Sequence, residues 1–304
     1  MKWLSWLQGG RDNGRTGQAV MDTPEDAKFL WSEEPVDNHT VPYFLPNDIR
    51  EINRLDFQHF LVRYAIQRNY VAPIQNPKGI LDVGCGTGRW AQEMAALFPR
   101  TKVFGLDVVP DAARESNTRP TNYTFMTGNI LEELPFPDMT FDFVHQRFLH
   151  MAVPVSSWNH VAQELVRVTR PGGWVELVES DLLMHRPGPA MQQLTEFGFA
   201  AAQARGIDPR ASMNIGNFLY TAKLTNIQTY RIDLPIGSWG GRLGSMTAAD
   251  LISYNQAAKP KITSYFKISV AEYDRLTLMM RKEWESNHCY FSLYLACGQK
   301  QYLG

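Results

Sequence analysis

Cysteine is scarce in this sequence, whose 304 residues include only Cys85, Cys289 and Cys297. Three cysteines cannot form the disulfide framework of a small secreted protein or a zinc site made of cysteines. A chain of this length buries roughly 75% of the surface that it exposes when unfolded, so its core needs no cross-link. The scarcity of cysteine therefore favours an intracellular, cytoplasmic protein and predicts no metal site.

An excess of charge and long apolar runs are missing too. The chain has 30 basic and 31 acidic residues, a net charge of −1, whereas nucleic-acid binders usually carry a basic excess. No run approaches the roughly 20 apolar residues of a membrane span. The apolar patch at Trp3–Leu7 ends too early for a signal peptide. We therefore expect neither a nucleic-acid partner nor a membrane partner.

The chain divides into three segments by composition and periodicity. Residues 1–40 are rich in Gly, Asp, Asn, Glu and Thr and show little periodicity, which is typical of a mobile leader. Residues 41–78 predict an N-terminal helical cap whose helix begins at Asn47 or Asp48. Residues 79–304 hold alternating strands and helices and are expected to form the main domain.

Seven apolar segments in the main domain predict strands. They are Gly79–Val83, Lys102–Asp107, Tyr123–Thr127, Phe141–His145, Gly173–Val178, Ile227–Ile232 and Tyr290–Cys297. Amphipathic helices between the first five predict an α/β fold with a doubly wound, mainly parallel sheet. Two insertions interrupt this alternation. Residues 185–225 are mostly helical, and residues 235–268 are rich in Gly, Ser and Pro.

A glycine-rich turn follows the first predicted strand. Gly84, Gly86 and Gly88 allow a sharp turn and a close approach of the backbone to a ligand, next to the N-terminus of a helix. Asp107 ends the next strand, where a carboxylate can accept hydrogen bonds from both ribose hydroxyls. The G-x-G-x-G spacing differs from the G-x-G-x-x-G of dinucleotide enzymes. Asp82 suits a ligand with an amino group better than a pyrophosphate.

This turn and the segments after it resemble the class I methyltransferases that use S-adenosylmethionine. Residues 80–88, ILDVGCGTG, match the family's first motif, and Asp107 matches its ribose-binding acid. Thr127–Ile130 matches the adenine contact, where Asn129 replaces the family's usual Asp. Phe141–His145 and the stretch 165–173 match the fourth strand and the approach to the fifth. The resemblance implies a Rossmann-like seven-stranded sheet, S-adenosyl-L-methionine as cofactor and S-adenosyl-L-homocysteine as product.

A narrower resemblance covers the N-terminal cap and parts of the C-terminal half. Residues 43–59, 239–242 and 297–300 are similar to the LaeA/UMTA-type methyltransferases of fungal and bacterial secondary metabolism. This resemblance implies small-molecule, natural-product methyl acceptors for most members. It also implies a regulatory role for some, so a cofactor-binding protein that acts through protein partners is a second hypothesis.

The resemblance assigns roles to the residues around the cofactor. Asp82 is expected at the methionine amino group and Arg54 at the methionine carboxylate. Val108 and Ile130 are expected on the two faces of the adenine, and Gln146 and Arg147 near the sulfonium. The expected cofactor-binding residues are Arg54, Asp82, Gly84, Cys85, Gly86, Gly88, Asp107, Val108, Asn129, Ile130, Gln146 and Arg147.

The need for a catalytic base depends on the acceptor. Methyl transfer is an in-line displacement, and a base is required only if the nucleophile must lose a proton. The candidates that follow strands four and five are His150, Glu179, Asp181 and His185. An amine or thiolate acceptor needs no such base, so both possibilities stay open.

The acceptor site is expected to be formed by the cap and the two insertions. Tyr43, His59, Trp239 and Tyr254 are the candidate contacts, because aromatic rings offer stacking faces for a ring-shaped acceptor. Several glycines close to Trp239 predict that residues 238–244 act as a mobile lid. The sequence leaves open the methylated element, the acceptor and whether the protein is a monomer or a homodimer.

Overall fold

The computed structural model of the chain describes residues 45, 46, 48–109 and 119–302. Its strands form a seven-stranded sheet in the order β3-β2-β1-β4-β5-β7-β6. Strands β1 to β5 pair in parallel, and β7 is antiparallel to both β5 and β6. The strands are β1 (Gly79–Val83), β2 (Lys102–Asp107), β3 (Tyr123–Thr127), β4 (Phe141–Arg147), β5 (Thr169–Ser180), β6 (Thr225–Pro235) and β7 (Tyr290–Gln299). This topology confirms the predicted α/β, Rossmann-like, doubly wound and mainly parallel sheet.

Helices cover both faces of the sheet because the central strands are apolar on both sides. Leu81 and Val83 of β1 pack in the core with the helices Trp158–Val168 and Ile215–Thr221, whereas Ile80 packs on the opposite face with the helix Arg89–Leu97. The helices are α1 (Ile49–Ile66), α2 (Arg89–Leu97), α3 (Trp158–Val168), α4 (Pro189–Gln203), α5 (Ile215–Thr221), α6 (Gly241–Phe266) and α7 (Val270–Asn287). In the described part of the chain, no helix combines the length and apolar character needed to cross a bilayer.

The sheet order places a crevice at the carboxyl ends of β1 and β4. Strands β2 and β3 extend the sheet on one side of β1, and the chain then crosses to β4 on the other side. Ligands of open α/β sheets bind outside the carboxyl ends of the strands at such a switch point. The glycine turn after β1 and the end of β2 both lie there.

Helix α1 lies over this crevice. It begins at Asp48, one of the two predicted caps, whose carboxylate accepts hydrogen bonds from the backbone N–H groups of Arg50 and Glu51. The Thr87 hydroxyl donates to the Asp56 carboxylate of α1 at 2.6 Å, and Arg54 of α1 donates to Asp250 of α6. Polar contacts therefore join α1 to the glycine turn on one side and to α6 on the other.

Residues 238–244 differ from the predicted lid. They form a 3-10 turn at Ser238–Gly240 and the start of the 26-residue helix α6. A Cβ atom on Gly244 would lie 2.1 Å from the Gly237 carbonyl oxygen, and the Gly237 N–H donates to the Gly244 carbonyl. These two glycines allow close backbone packing between the turn and the helix, and the lid at residues 238–244 stays a prediction. The predicted leader, residues 1–40, and Tyr43 lie outside the described residues.

Candidate functional site

A cavity of about 220 Å³, the first cavity, opens at the carboxyl ends of β1, β2 and β4. Residues from the glycine turn, from the ends of these strands and from α1 form its wall. The expected cofactor-binding residues that line it are Asp82, Gly84, Cys85, Gly86, Asp107, Val108, Asn129, Ile130 and Arg147. Three expected cofactor-binding residues, Arg54, Gly88 and Gln146, do not line it.

Left-handed backbone shapes the glycine turn. Gly84, Gly86 and Gly88 have φ angles of 68°, 54° and 72°, which side chains rarely adopt. A Cβ atom on Gly84 would lie 2.6 Å from the Leu149 side chain, and one on Gly88 would lie 2.4 Å from the Tyr123 hydroxyl. Gly88 caps α2 behind the cavity wall, so its role in the turn is conformational.

Asp107 lies at the end of β2 with both carboxylate oxygens fixed by the backbone. Oδ2 accepts from the Gly86 N–H at 2.8 Å, and Oδ1 accepts from the Val109 N–H at 3.0 Å. Burial raises the pKa of Asp107, while these two hydrogen bonds oppose the shift. A carboxylate has about four acceptor positions, so each oxygen can still accept one hydroxyl of a ribose.

The residues next to Asp107 offer an apolar surface and a turn. Val108 is 45% exposed although it is apolar, and Ile130 lines the same cavity. Asn129 uses its side chain locally, since Oδ1 accepts from the Leu131 N–H and Nδ2 donates to Glu132. The Asn129 amide therefore fixes the turn after β3.

Asp82 is buried at the base of the first cavity. Its Oδ1 is 2.8 Å from Nδ1 of His145, and the His145 ring stacks on Trp90 with centroids 3.8 Å apart. Among the described residues no donor bonds to its Oδ2. Sequence reasoning missed His145 because a buried strand residue carries no local sign of a partner on the neighbouring strand.

His59 orients Arg147 on the cavity wall. Arg147 Nη2 lies 3.2 Å from His59 Nδ1, and His59 Nε2 lies 3.2 Å from Glu93 Oε1. Burial and the nearby Arg147 lower the pKa of His59 to about 4. A neutral imidazole accepts from Arg147 at Nδ1, while its Nε2 faces the Glu93 carboxylate. His59, expected at the acceptor, therefore lies on the first cavity.

A second cavity of about 190 Å³ adjoins the first. The two cavities share four wall residues, Leu55, Gln58, Phe148 and Met151. Helices α1, α4, α6 and α7 and the ends of β4 to β7 form the rest of the second wall, which is largely apolar. Its methionines are Met151, Met184, Met191 and Met280.

Comparison with known proteins agrees with this geometry. The family model described as a methyltransferase domain matches residues 80–173. The N-methyltransferase verN of Clonostachys rogersoniana is 30% identical over 208 residues, which cover 66% of this chain and 72% of that protein. The chain belongs to the S-adenosylmethionine-dependent methyltransferases.

The alignments with other relatives cover different shares of those proteins. The methyltransferase pytC of Aspergillus terreus is 32% identical over 214 residues, 66% of this chain and 63% of that protein. The chain thus spans less than two thirds of the length of pytC.

Among solved structures, a phosphoethanolamine N-methyltransferase of Haemonchus contortus with S-adenosyl-L-methionine has a TM-score of 0.47 and 14% identity. That match covers 92% of this chain and 58% of that one.

The first cavity of the methyltransferase fits the cofactor of its family, as the sequence predicts. The left-handed glycines keep the turn free of side chains, which at Gly84 and Gly88 would clash with Leu149 and Tyr123, and Asp107 keeps acceptor positions suited to a ribose. The exposed face of Val108 suits a planar base.

Arg54 lies on the second cavity, away from its expected place at the cofactor. Its Nε and Nη2 donate to the Glu51 carboxylate at 2.8 and 2.7 Å, and its Nη1 donates to Asp250 at 3.1 Å. Tyr254 also lines this cavity, and burial raises its pKa to about 12, so the phenol stays protonated. Sequence reasoning missed Asp250 because it comes 196 residues after Arg54.

The four candidate bases separate into two groups. His150 lines the second cavity, and its Nδ1 is 2.9 Å from Glu179 Oε2. Asp181 accepts from the Tyr294 hydroxyl, and His185 stacks on Tyr290. Of these four described residues, only His150 lines either the first or the second cavity.

Two further expected contacts lie away from both cavities. The indole N–H of Trp239 donates to the Ile236 carbonyl, and the ring lies against His288. Gln146 is fully buried and donates to Glu179. The 3-10 turn before α6 holds Trp239 at the surface, which explains why this aromatic residue does not line the second cavity.

Proposed function

We propose that this methyltransferase binds S-adenosyl-L-methionine in the first cavity and a small, largely apolar acceptor in the second. The observation that carries this proposal is the shared wall of Leu55, Gln58, Phe148 and Met151. A methyl group on sulfonium sulfur is already activated for in-line displacement. The protein's task is therefore to align two ligands and to exclude water between them.

The described contacts support a role for each residue of the first cavity. Asp107 accepts the ribose hydroxyls, and Val108 and Ile130 flank the adenine. Asp82 Oδ2 accepts the methionine amino group. Arg147 takes the methionine carboxylate in place of Arg54, which Glu51 and Asp250 already occupy.

The pairing of Asp82 with Arg147 follows from their proximity. The amino group and the carboxylate of methionine are attached to one carbon atom, so their binding groups must be close together. Both side chains line the first cavity, and the register of β1 with β4 aligns Asp82 with His145, two residues before Arg147. Arg147, close to Asp82, therefore supplies the positive charge that the methionine carboxylate needs.

The apolar wall of the second cavity supports an apolar acceptor. Methionine side chains are flexible and polarisable, so four of them form a wall that adapts to a bulky molecule. The natural-product character of the acceptor, the cytoplasmic location and the lack of nucleic-acid and membrane partners stay predictions of the sequence.

Calorimetric titration with S-adenosyl-L-homocysteine tests the proposal. Asp107→Ala removes the ribose acceptors and should weaken binding at least about tenfold, the effect of one lost charged hydrogen bond. Asp233→Ala is the control, because Asp233 is an exposed carboxylate on β6 that pairs with Arg231. Equal affinities in both variants would contradict the assignment of the first cavity. Binding without methyl transfer to any small molecule would favour the regulatory hypothesis.

A further inference from the structure

The loop after β4 lies between the two cavities. Arg147 and Leu149 line the first cavity and His150 lines the second, while Phe148 and Met151 line both. The segment 147–151 therefore contributes side chains to both the proposed cofactor site and the proposed acceptor site. His150 is the titratable member on the acceptor side, and it belongs to the segment that separates the two sites.

Glu179 fixes this loop from the end of β5. Its Oε1 accepts from the Leu149 N–H at 3.0 Å and from Gln146 Nε2 at 3.1 Å. Its Oε2 contacts the His150 N–H at 3.1 Å and His150 Nδ1 at 2.9 Å. The carboxylate is fully buried, so these contacts occur where hydrogen bonds to a charge are strong.

The backbone of this loop is strained at Phe148. Phe148 has a φ of 58°, in the left-handed region that bulky side chains avoid. The Glu179 carboxylate accepts from the N–H groups of the next two residues and so stabilises this conformation. Strain of this kind persists where the surroundings hold a side chain in a required place.

The partners of Glu179 determine the tautomer of His150. Two of them are backbone N–H groups, which can only donate, and Gln146 Nε2 is the third, so both oxygens of the carboxylate act as acceptors. A hydrogen on His150 Nδ1 completes this set of donors, and the tautomer that has it there leaves the lone pair on Nε2. Among the described residues no group hydrogen-bonds to Nε2.

We propose that His150 is the general base of methyl transfer, positioned by Glu179, and that the acceptor's nucleophile is a phenolic or enolic hydroxyl. This inference rests on the proposed function. The acceptor oxygen bonds to the methyl carbon as the carbon–sulfur bond breaks with its electron pair moving to sulfur. The hydroxyl proton passes to Nε2, and the Glu179 carboxylate balances the charge on the imidazolium.

The other polar groups of the second cavity do not offer this chemistry. Asp250, the one carboxylate among the described residues that line it, accepts from Arg54 and Gln58. Tyr254 stays protonated, because burial raises its pKa to about 12. A neutral amine has a lone pair available and does not need His150, so the positioned base favours a hydroxyl.

Three probes with one bicyclic body test this inference, namely indan-5-ol, indane-5-thiol and 5-aminoindane, each with S-adenosyl-L-methionine. We expect methylation of indan-5-ol with an acid limb in its pH profile. His150→Gln should remove that limb and lower kcat/KM for the alcohol by about 100-fold or more. The loss with the thiol should be less than about fivefold, because a thiolate needs no base. Glu179→Gln should lower the alcohol rate by an intermediate factor.

The ¹⁵N spectrum of His150 with S-adenosyl-L-homocysteine bound supplies an independent measurement. We expect the Nδ1–H tautomer, and we expect Glu179→Gln to lose this preference. An Nε2–H tautomer would overturn the inference, as would an equal loss of rate with all three probes or transfer to the amine alone. No transfer to any probe by a protein that binds S-adenosyl-L-homocysteine would also overturn it. Failure of S-adenosyl-L-homocysteine to bind would instead contradict the proposed function.

Discussion

His59 lies between a cation and an anion on the wall of the first cavity. Its neutral ring on α1 accepts from Arg147 of β4, and Nε2 of the same ring lies 3.2 Å from Glu93 of α2. A protonated ring has no lone pair for Arg147 and would place a second positive charge beside it. This residue therefore orients the proposed carboxylate-binding arginine only while it is neutral.

The low pKa of His59 predicts a dependence of stability on pH. The value falls from 6.5 to about 4 on folding, so the unfolded chain binds the proton more readily between these values. The free energy of unfolding should then decrease as the pH falls through that range, by about 3 kcal/mol in total. Urea unfolding at several pH values measures this decrease.

His59→Gln should flatten this dependence, because an amide can accept from Arg147 and donate to Glu93 without titrating. His160→Gln is the matched control, since His160 is an exposed histidine on α3. If His59→Gln kept the pH dependence of the wild type, the buried neutral imidazole would be the wrong description of His59.

The junction between the 3-10 turn and α6 depends on two glycines in contact. Gly244→Ala would place a Cβ atom 2.1 Å from the Gly237 carbonyl oxygen, so the backbone must shift. We expect the substitution to lower the free energy of unfolding by about 1–3 kcal/mol, as overpacking does. Urea unfolding of Gly244→Ala measures this loss.

Gly198→Ala is the control for that experiment. Gly198 is also helical, and a Cβ atom there meets nothing within 4 Å, so the substitution should not destabilise the protein. A Gly244→Ala protein as stable as the wild type but slower in methyl transfer would instead support a mobile lid at residues 238–244.

The parts of the fold that the sequence predicts are those whose residues are close along the chain. The glycine turn is a contiguous motif after a buried strand, and the end of the next strand must lie beside it in a parallel sheet. These rules place Gly84, Gly86 and Asp107 on one cavity without knowledge of distant contacts. The seven strands were predictable for the same reason, since apolar segments and turns are local features.

The second cavity could not be predicted because its wall comes from distant parts of the chain. Arg54 pairs with Asp250, and this pair forms only once α1 and α6 pack together. Residues 235–268 are rich in Gly, Ser and Pro, yet tertiary packing makes most of them a helix, with Pro260 inside it. Local composition favoured a loop, and long-range contacts determined the outcome.

Gly198→Phe tests whether the two joined cavities hold two different ligands. Gly198 lines the second cavity but not the first, and there is open space at its Cβ position. The measurement is methyl transfer to indan-5-ol alongside calorimetric binding of S-adenosyl-L-homocysteine. We predict that Gly198→Phe fills the acceptor site, lowers transfer by at least about tenfold and leaves S-adenosyl-L-homocysteine affinity within about twofold. Gly198→Ala should leave both unchanged. Loss of S-adenosyl-L-homocysteine binding together with transfer, or unchanged transfer, would contradict the assignment of two ligands to the two cavities.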